Sequence, residues 1–280
     1  MAVQIPTGLR PHRGKALGGR LSRGAMRDTL MQEVIDVRAT LMNSGRAVEA
    51  AFSDGNIETI FLPLLERLTA LRRQKGRRVL ALLAAPPAAG KSTLAALLEK
   101  LSRENDGLDA VTALGMDGFH YPRSYLQCHA VPGGSAPLLS VKGAPETFDL
   151  ARLRAALARV VAGEDCPWPA YDRTLHDPVE GALRVTGPIA LVEGNYLLLD
   201  ADGWRELRKL ADWTVAVEAE PALLRSRLIA RHVAGGRSPE DAAAFVDRSD
   251  MANARLCREH ALPADLRLRL MPDGSFTKLA

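Results

Sequence analysis

The chain has 280 residues, of which 47% are hydrophobic and 25% are charged. This composition is typical of a soluble globular protein, and the length suits one large domain or two small ones. The longest apolar runs, at 189–192 and 197–199, are far too short to span a bilayer. No apolar signal-peptide core follows Met1. We therefore expect a cytoplasmic protein that has no membrane partner.

The positive charge is concentrated at the start of the chain. Residues 1–27 hold six basic residues and no acid, although the net charge of the whole chain is only +4. Residues 28–280 therefore carry a net charge of −2, which argues against nucleic acid as a partner, because a binding domain would need a basic surface of its own. Residues 1–30 are rich in Gly and Arg without periodicity, so we expect a basic, disordered tail. A targeting peptide has a similar composition and stays open as an alternative.

The three cysteines, Cys128, Cys166 and Cys257, are odd in number and widely spaced. This pattern argues against a disulfide framework and against a zinc site, since neither a full set of pairs nor a CxxC motif is present. It fits unpaired thiols in a reducing cytoplasm.

The first half of the chain alternates between strand and helix patterns. Residues 33–42 and 46–52 flank an Asn-Ser-Gly turn and predict a β-hairpin. Apolar residues at helical spacing predict an amphipathic helix over 57–73. The next predicted elements are a buried strand at 78–84, a helix at 91–101 and a second strand at 110–116.

The second half continues this alternation around two long segments rich in Pro and Gly. Those segments, 120–148 and 163–187, are predicted to be irregular. Helices are predicted at 150–161, with Asp149 as its N-cap, and at 221–232 and 239–257; strands are predicted at 188–199 with an interruption at 193–195, at 213–218 and at 266–271. The alternation predicts an α/β fold with a mainly parallel sheet flanked by helices, in which ligands bind at the carboxyl ends of the strands.

A phosphate-binding loop is predicted between the strand at 78–84 and the following helix. Its pattern is close to the Walker A form G-x-x-x-x-G-K-[ST]. Backbone N–H groups of such a loop and the positive end of the helix dipole hold a polyphosphate. Lys91 would neutralise the transferred phosphoryl group, and Ser92 would bind Mg²⁺ beside ATP. The predicted nucleotide-binding residues are Ala85, Pro86, Pro87, Ala88, Ala89, Gly90, Lys91, Ser92 and Thr93.

Two alanines stand where this loop commonly has glycine. Ala85 replaces the first glycine of the pattern, and Ala88 occupies another position that is often glycine. A methyl group is tolerated where the backbone φ is negative, but glycine-only conformations are excluded. Their effect on nucleotide affinity stays open, and the alternative is a strand-to-helix turn that merely contains Gly-Lys-Ser-Thr.

Two acids follow apolar strands and are candidates for chemistry at the γ-phosphate. Asp117 follows the strand at 111–116, and Glu193 follows the apolar run at 189–192. One carboxylate would accept the proton of an attacking hydroxyl, and the other would hold magnesium or its waters. Polar residues commonly end strands, so each acid alone is weak evidence, but the pair behind a phosphate loop favours a kinase.

Four further segments resemble a known group of kinases. Residues 116–120 (MDGFH) resemble a motif of bacterial pantothenate kinases, and residues 169–176 (PAYDRTLH) resemble the substrate segment of uridine kinases. Residues 142–149 (KGAPETFD) and 192–200 (VEGNYLLLD) are similar to a bacterial branch labelled nucleoside/nucleotide kinase or fructose-transport kinase. From about residue 33 to the end, the sequence resembles the phosphoribulokinase/uridine kinase/pantothenate kinase superfamily of P-loop kinases.

The resemblance implies a role for each matching residue. Asp117 matches the family's catalytic base, and Glu193 matches the acid of the Walker-B-like strand, a metal ligand. Tyr171 and His176 match positions that contact substrate in uridine kinases. Arg173 replaces an aromatic residue of that pattern and suits an anionic or polyhydroxyl substrate.

An arginine-bearing helix is interpreted as a lid over the phosphates. Arg227 and Arg231 lie four residues apart, shortly before the Gly235-Gly236 break, and glycines of this kind suit a hinge. The resemblance favours Arg231 as the lid arginine, which would act with Lys91 on transition-state charge. The alternative is a solvated basic face on a surface helix.

The sequence thus predicts a P-loop NTPase fold with a helical lid and a small N-terminal β-hairpin. Residues 31–280 are expected to form one kinase domain, with the hairpin and helix at 33–74 and the nucleotide-binding core at 78–280. His120, after Asp117, is a further candidate for substrate contact, whereas Lys142 is interpreted as an exposed charge.

The predicted reaction moves the γ-phosphate of ATP to a hydroxyl of a small molecule. The candidates are a nucleoside, a sugar or a pantothenate-like alcohol. A nucleotide-binding regulatory protein and an ATPase without an acceptor are the alternatives. The sequence leaves the oligomeric state open, a homodimer included.

Overall fold

Strands and helices alternate along the chain in the computed structural model, which describes residues 36–43 and 46–280. The tail expected at residues 1–30 lies outside the described residues. The strands are β1 (Asp36–Asn43), β2 (Arg46–Ser53), β3 (Val79–Ala84), β4 (Val111–Gly115), β5 (Cys166–Asp172), β6 (Asp177–Val185), β7 (Ile189–Gly194), β8 (Trp213–Ala219), β9 (Leu266–Leu270) and β10 (Phe276–Lys278). The α-helices are α1 (Asp54–Asn56), α2 (Leu62–Lys75), α3 (Lys91–Glu104), α4 (Arg123–Cys128), α5 (Leu150–Val161), α6 (Arg205–Leu210), α7 (Pro221–Ala234), α8 (Pro239–Phe245) and α9 (Met251–Glu259).

A six-stranded sheet in the order β10-β9-β8-β3-β7-β4 forms the centre of the described fold. Its neighbours pair in parallel, except that β10 runs antiparallel to β9 at one edge. The register places Ala84 of β3 opposite Gly194 of β7, and Gly115 of β4 opposite Glu193. The predicted α/β fold with a mainly parallel sheet is confirmed, and the strand ends that carry the candidate acids are neighbours.

Alternating residues of the central strand β3 are buried on both faces of the sheet. Val79, Ala81 and Leu83 join a core with helices α2 and α3, and Leu80 and Leu82 join a second core with α5 and α6. Every residue of β3 is buried, as expected for a strand of a parallel sheet that is covered on two sides. Each fully buried leucine contributes about 2 kcal/mol, so this strand holds the phosphate loop on a rigid base.

The N-terminal hairpin predicted at 33–52 is present as the antiparallel pair β1–β2. After Ser53 the chain passes through α1 and a π-helical turn, Ile57–Phe61, into α2. Helix α2 ends at Gly76, whose φ is 63°, and this left-handed conformation is one that glycine adopts without strain. The helix predicted at 57–73 is therefore confirmed with small shifts at its ends.

The prediction of an irregular segment at 163–187 is wrong, because β5 and β6 form an antiparallel hairpin there. The prolines suggested a loop, but a two-stranded sheet has an outer edge on which a missing N–H costs nothing. The hairpin is fixed to the main sheet by Trp168, whose Nε1 donates to the carbonyl of Gly115 at 2.9 Å. A β-bulge between Trp168 and Ala170 bends the hairpin next to the end of β4.

Smaller corrections concern element ends. The strand predicted at 188–199 stops at Gly194, and the helix predicted at 239–257 is divided into α8, a π-helical turn and α9. The segment 120–148, predicted to be irregular, contains α4 and two short 3₁₀ turns. Helix α6 and strand β10 were absent from the sequence prediction, since neither has a long periodic pattern.

Two other expectations agree with the described structure. Asp149 caps α5 by accepting a hydrogen bond from the backbone N–H of Arg152 at 3.0 Å. Cys128, Cys166 and Cys257 are all free. Within residues 36–43 and 46–280, no helix combines the length and the apolar character that crossing a membrane requires.

Gly118 provides a test of how the β5–β6 hairpin packs on the main sheet. A Cβ at this position would lie 2.2 Å from the carbonyl oxygen of Pro169, a distance that the backbone cannot accept without moving. We expect Gly118→Ala to reduce the free energy of unfolding by about 2 kcal/mol or more, measured by denaturant unfolding. Gly134→Ala is the matched control, because its Cβ would meet nothing closer than 3.7 Å. Equal stability of the two variants would contradict this packing.

Candidate active site

The loop between β3 and α3 has the backbone arrangement of a phosphate-binding loop. It is tied to β7 by the N–H of Ala85, which donates to the carbonyl of Gly194 at 3.2 Å. Gly90 ends the loop with a φ of 79°, and its carbonyl accepts the N–H of Leu94 at 2.9 Å. The free N–H groups of the first turn of α3 therefore lie at the loop, where they and the helix dipole favour an anion.

Ala88 adopts a conformation that the sequence analysis treated as reserved for glycine. Its φ is 65°, which makes it one of two non-glycine residues with a positive φ in the described chain. The condition of a negative φ, under which a methyl group is tolerated, is therefore not met at Ala88, and the loop keeps a left-handed backbone with the strain of a methyl group. Ala85 is buried at the end of β3 and is not among the residues with positive φ.

The two candidate acids lie at neighbouring strand ends beside this loop. Asp117 is in a 3₁₀ turn, Met116–Phe119, that directly follows β4. Glu193 is the penultimate residue of β7, is 8% exposed, and accepts a hydrogen bond at Oε1 from the Ser92 hydroxyl at 2.8 Å. The structure therefore brings together Ser92, Glu193 and Asp117, three residues that are distant in sequence.

The predicted substrate residues Tyr171, Arg173 and His176 belong to the β5–β6 hairpin. An Nη2 of Arg173 lies 4.0 Å from Oδ2 of Asp117. His176, at the hairpin tip, has a φ of 56°, and its carbonyl accepts a hydrogen bond from Lys142 at 2.8 Å. Lys142 Nζ also lies 4.9 Å from the centre of the Tyr171 ring, so the interpretation of Lys142 as an exposed charge is wrong.

His120 is buried beside the same residues. Its ring stacks on Phe148 at 3.8 Å and lies edge-on to Tyr171 at 5.6 Å. Nδ1 lies 3.2 Å from the carbonyl of Thr147, and burial lowers the pKa of the imidazole below its ordinary value. His120 is therefore neutral near pH 7, and its ring packs against Tyr171.

Arg231 lies in the last turn of α7, just before Gly235 and Gly236. Its side chain is exposed, and its charge is one of those that act on the Asp117 carboxylate. Arg225 on the same helix instead pairs with Asp247 at 2.7 Å on the surface. Of these two arginines, Arg231 is the one whose charge lowers the pKa of Asp117 in the candidate site.

Two cavities flank the phosphate loop. The first, here named the hairpin cavity, has a volume of about 490 Å³ and lies between α3, β4 and the β5–β6 hairpin. The second, named the α9 cavity, has a volume of about 430 Å³ and lies beside β8 and α9. Residues lining the hairpin cavity include Ser92, Asp117, Tyr171 and Glu193. Residues lining the α9 cavity include Ala85, Pro86, Leu198, Met251 and Leu262.

Similarity to known proteins extends over most of the chain, although no family model matches it. It is 41% identical over 241 residues to "Uncharacterized protein YggC" of Escherichia coli (strain K12), covering 86% of this chain and 98% of that one. It is 34% identical over 200 residues to "Putative uridine kinase C227.14" of Schizosaccharomyces pombe, covering 69% and 83%. The crystal structure of a "putative fructose transport system kinase" from Silicibacter sp. TM1040 matches with a TM-score of 0.61 and 35% identity, covering 71% and 98%.

The chain belongs to the P-loop kinases of the uridine kinase, pantothenate kinase and phosphoribulokinase type. The predicted fold and family are thereby confirmed, and the protein is a small-molecule kinase that uses ATP. The roles of individual residues in this kinase are proposals that rest on the geometry above.

Opposing charges set the protonation of the two acids in the kinase. Burial alone would raise the pKa of Asp117, but Lys91 and nearby arginines outweigh it and hold the pKa below its ordinary value. Burial, opposed in part by Lys91, raises the pKa of Glu193, and the negative charge of Asp117 adds to that rise. Asp117 is therefore the ionised member of the pair, and Glu193 is the one that takes up a proton first.

The sequence analysis missed several residues of the kinase's cavities. Glu99 lines the hairpin cavity seven residues after Ser92 on α3, a spacing that places both on one helix face and could have indicated it. Val179 and Leu183 of β6 were overlooked because the hairpin itself was not predicted. The α9 cavity is built by residues from distant elements, and no local pattern in the sequence signals it.

The strain at Ala88 can be measured directly. Ala88→Gly removes the methyl group from a left-handed residue and is expected to increase the free energy of unfolding by about 1 kcal/mol. Ala89→Gly is the matched control, because Ala89 is buried and is not a positive-φ residue, so that change should destabilise. Denaturant unfolding of both variants checks this, and a destabilised Ala88→Gly protein would contradict the left-handed conformation.

The raised pKa of Glu193 predicts a pH-dependent response to magnesium. Because the neutral acid binds a cation poorly, the gain in ATP affinity on adding Mg²⁺ should decline while the pH is still above the ordinary glutamate value of 4.5. Calorimetric titration between about pH 7.5 and pH 4.5 measures this gain. The γ-phosphate of ATP itself takes up a proton in this range, so the Glu193→Gln variant, which has no carboxylate to titrate at this position, gives the baseline. A decline in wild type that is no larger than that of the variant would argue against Glu193 as the titrating ligand.

Proposed function

We propose that this kinase transfers the γ-phosphoryl group of ATP to a hydroxyl of a small molecule bound in the hairpin cavity. The observation that carries this proposal is that Asp117, Glu193 and Ser92 line one cavity, at the end of the phosphate loop. A nucleotide whose phosphates lie on that loop would present its γ-phosphate to the cavity, and an acceptor inside would meet it. The cavity of about 490 Å³ is within the size range of small-molecule sites.

The α9 cavity suits the adenine base of ATP. It contacts the start of the loop through Ala85 and Pro86, on the side away from Asp117. Its wall is mainly apolar, with Leu198, Leu262 and Met251, and such a wall favours a flat aromatic ring. The two cavities together accommodate a nucleotide and an acceptor on opposite sides of the loop.

The residues at the loop also fit a magnesium ion. The hydroxyl of Ser92 and the carboxylate of Glu193 meet at 2.8 Å, and hard oxygen ligands are those that Mg²⁺ prefers. Within the part of the chain that the structure describes, no cluster of three or more metal-binding side chains occurs. This agrees with an ion held by one or two side chains together with phosphates and water. When bound, magnesium would neutralise charge on the phosphates.

The proposed chemistry assigns one task to each polar side chain. The acceptor oxygen attacks the γ-phosphorus, the bond from that phosphorus to the β,γ-bridging oxygen breaks, and ADP leaves with the electron pair. The Asp117 carboxylate, kept ionised by Lys91, accepts the proton of the acceptor hydroxyl. Lys91 and Arg231 offset the negative charge of the phosphoryl group during its transfer. Most of the rate gain comes from positioning and electrostatics.

The acceptor-side residues form one connected group. Tyr171 lines the hairpin cavity, and burial with the nearby charge of Asp117 raises the pKa of its phenol to about 12, so it acts as a hydrogen-bonding group and not as a base. Arg173 faces Asp117, and His120 lies edge-on to Tyr171. Lys142 links the other two residues, because it donates to the carbonyl of His176 and lies over the Tyr171 ring. The relatives carry names that mention uridine and fructose. A nucleoside or a sugar is therefore proposed as the acceptor, with a pantothenate-like alcohol as a further candidate.

The three free cysteines fit a reducing cytoplasm as the location of the protein.

Replacement of Asp117 tests the assigned base. Asp117→Asn keeps the shape but cannot accept a proton, so turnover with the best acceptor should fall by a factor of about 10² to 10⁴. ATP affinity should change far less, because Asp117 acts on the acceptor. ADP release against a panel of nucleosides, ketoses, aldoses and pantothenate-like alcohols measures turnover. Asp202→Asn is the matched control, since the Asp202 side chain is fully exposed.

The same assay separates the alternatives. ATP consumption that no acceptor increases would indicate an ATPase, and ATP binding without consumption would indicate a regulatory protein. Unchanged turnover in Asp117→Asn with a working acceptor would move the role of base to another residue.

A further inference from the structure

The charged side chains that line the hairpin cavity are all acidic. Four of its lining residues are acids, and none of the described residues that line it is Lys, Arg or His. Three of these acids, Asp117, Asp172 and Glu193, lie near the phosphate loop or the start of the hairpin turn. The fourth, Glu99, lies farther along α3, about 10 Å from Ser92 at the rise of an α-helix.

Glu99 is a carboxylate partly withdrawn from water. Its side chain is 27% exposed, and it pairs with Arg103 at 2.7 Å on the outer side of α3. Burial, only partly opposed by Arg103 and by a hydrogen bond from the backbone N–H of Ala113, raises the pKa of Glu99 above its ordinary value. A carboxylate has about four lone-pair sites, so Glu99 can still accept a donor that a ligand brings to it.

The basic residues nearby do not line this cavity and are engaged by other groups. Lys142 donates to the carbonyl of His176 and lies over the Tyr171 ring. Arg173 and Lys91 act on the carboxylate of Asp117, where the transferred phosphoryl group would also need them. A carboxylate or phosphate on the acceptor would therefore face acids without a cation of its own in the wall, which is unfavourable in a site partly shielded from water.

Another part of the cavity lining is apolar. It is formed by Val179, Ala182 and Leu183 of β6, and Ala95 and Ala96 lie between Ser92 and Glu99 on α3. Leu183 is 41% exposed and Val179 is 37% exposed, so both carry apolar surface that a ligand would cover. An acceptor with a nonpolar part and hydroxyl or amine donors complements this lining.

We propose that the hairpin cavity selects an acceptor alcohol without a negatively charged group, and that Glu99 binds a hydroxyl or ammonium group of this acceptor away from the reacting oxygen. The inference rests on the proposed function and narrows its substrate class. It favours a nucleoside, a neutral sugar or an amino alcohol over a pantothenate-like carboxylate. It also decides against the anionic substrate that Arg173 alone would allow.

Acceptor pairs that differ in charge test the selection. Suitable pairs are glycerol and glycerate, panthenol and pantothenate, glucose and gluconate, and uridine and its 6-carboxylate, orotidine, which keeps every ribose hydroxyl. For every pair that supports turnover, kcat/KM of the uncharged member should exceed that of the anionic member at least about tenfold, equivalent to 1.4 kcal/mol. A preference for the anionic member overturns this inference and leaves the proposed function intact. No turnover with any pair overturns both.

Variants of the wall test the role of Glu99. Glu99→Gln should raise the KM of the uncharged acceptor and reduce its advantage over the anionic partner several-fold. Leu183→Lys, at a half-exposed position that tolerates a long side chain, should shift preference toward the anionic member by about tenfold. Glu104→Gln is the matched control, because Glu104 lies on the same helix but pairs with Lys100 outside the cavity. Thermal unfolding verifies that each variant is folded, and a charge preference equal to wild type in both cavity variants overturns the proposal.

Discussion

The parallel register of β3, β7 and β4 is the constraint on which the active site depends. It aligns Ala84 with Gly194 and Gly115 with Glu193, so the phosphate loop and both acids emerge at one edge of the sheet. Strands β3 and β7 are buried on both faces, so a slip by one residue would exchange their side chains between the two cores and disrupt the packing of both. The buried strands therefore fix the positions of Asp117 and of the phosphate loop.

Charge at this edge is balanced within a small volume. Glu193 is almost fully buried, and Asp117 lines the same cavity, so the repulsion between the two carboxylates is offset by the positive charge of Lys91, which acts on both. The pKa values of the two acids therefore differ, so that Asp117 stays ionised while Glu193 holds its proton more tightly. A base and a metal ligand can thus differ in protonation although both are carboxylates at adjacent strand ends.

The sequence predicted what depends on short-range patterns. The buried strand β3 and the loop before α3 were visible because apolar runs and Gly-Lys-Ser-Thr are contiguous. The β5–β6 hairpin was not, because Pro167, Pro169 and Pro178 indicate a loop unless one knows that their strands have a free edge. The left-handed backbone at Ala88 was not predictable either, because an alanine in a sequence does not indicate a positive φ. The α9 cavity joins residues from four distant segments and leaves no local signal.

The β5–β6 hairpin links the fold to the choice of acceptor. Trp168 anchors its base to Gly115, and Gly118 allows its backbone to approach the turn that carries Asp117. The same hairpin supplies Tyr171 and the apolar wall with Leu183. Because these contacts of Trp168 and Gly118 hold the wall next to Asp117, an acceptor that fits the wall would, in the proposed function, lie at the base without a separate positioning device. In the proposed selection, Glu99, on the helix that follows the phosphate loop, separates acceptors by charge at a fixed distance from the reaction.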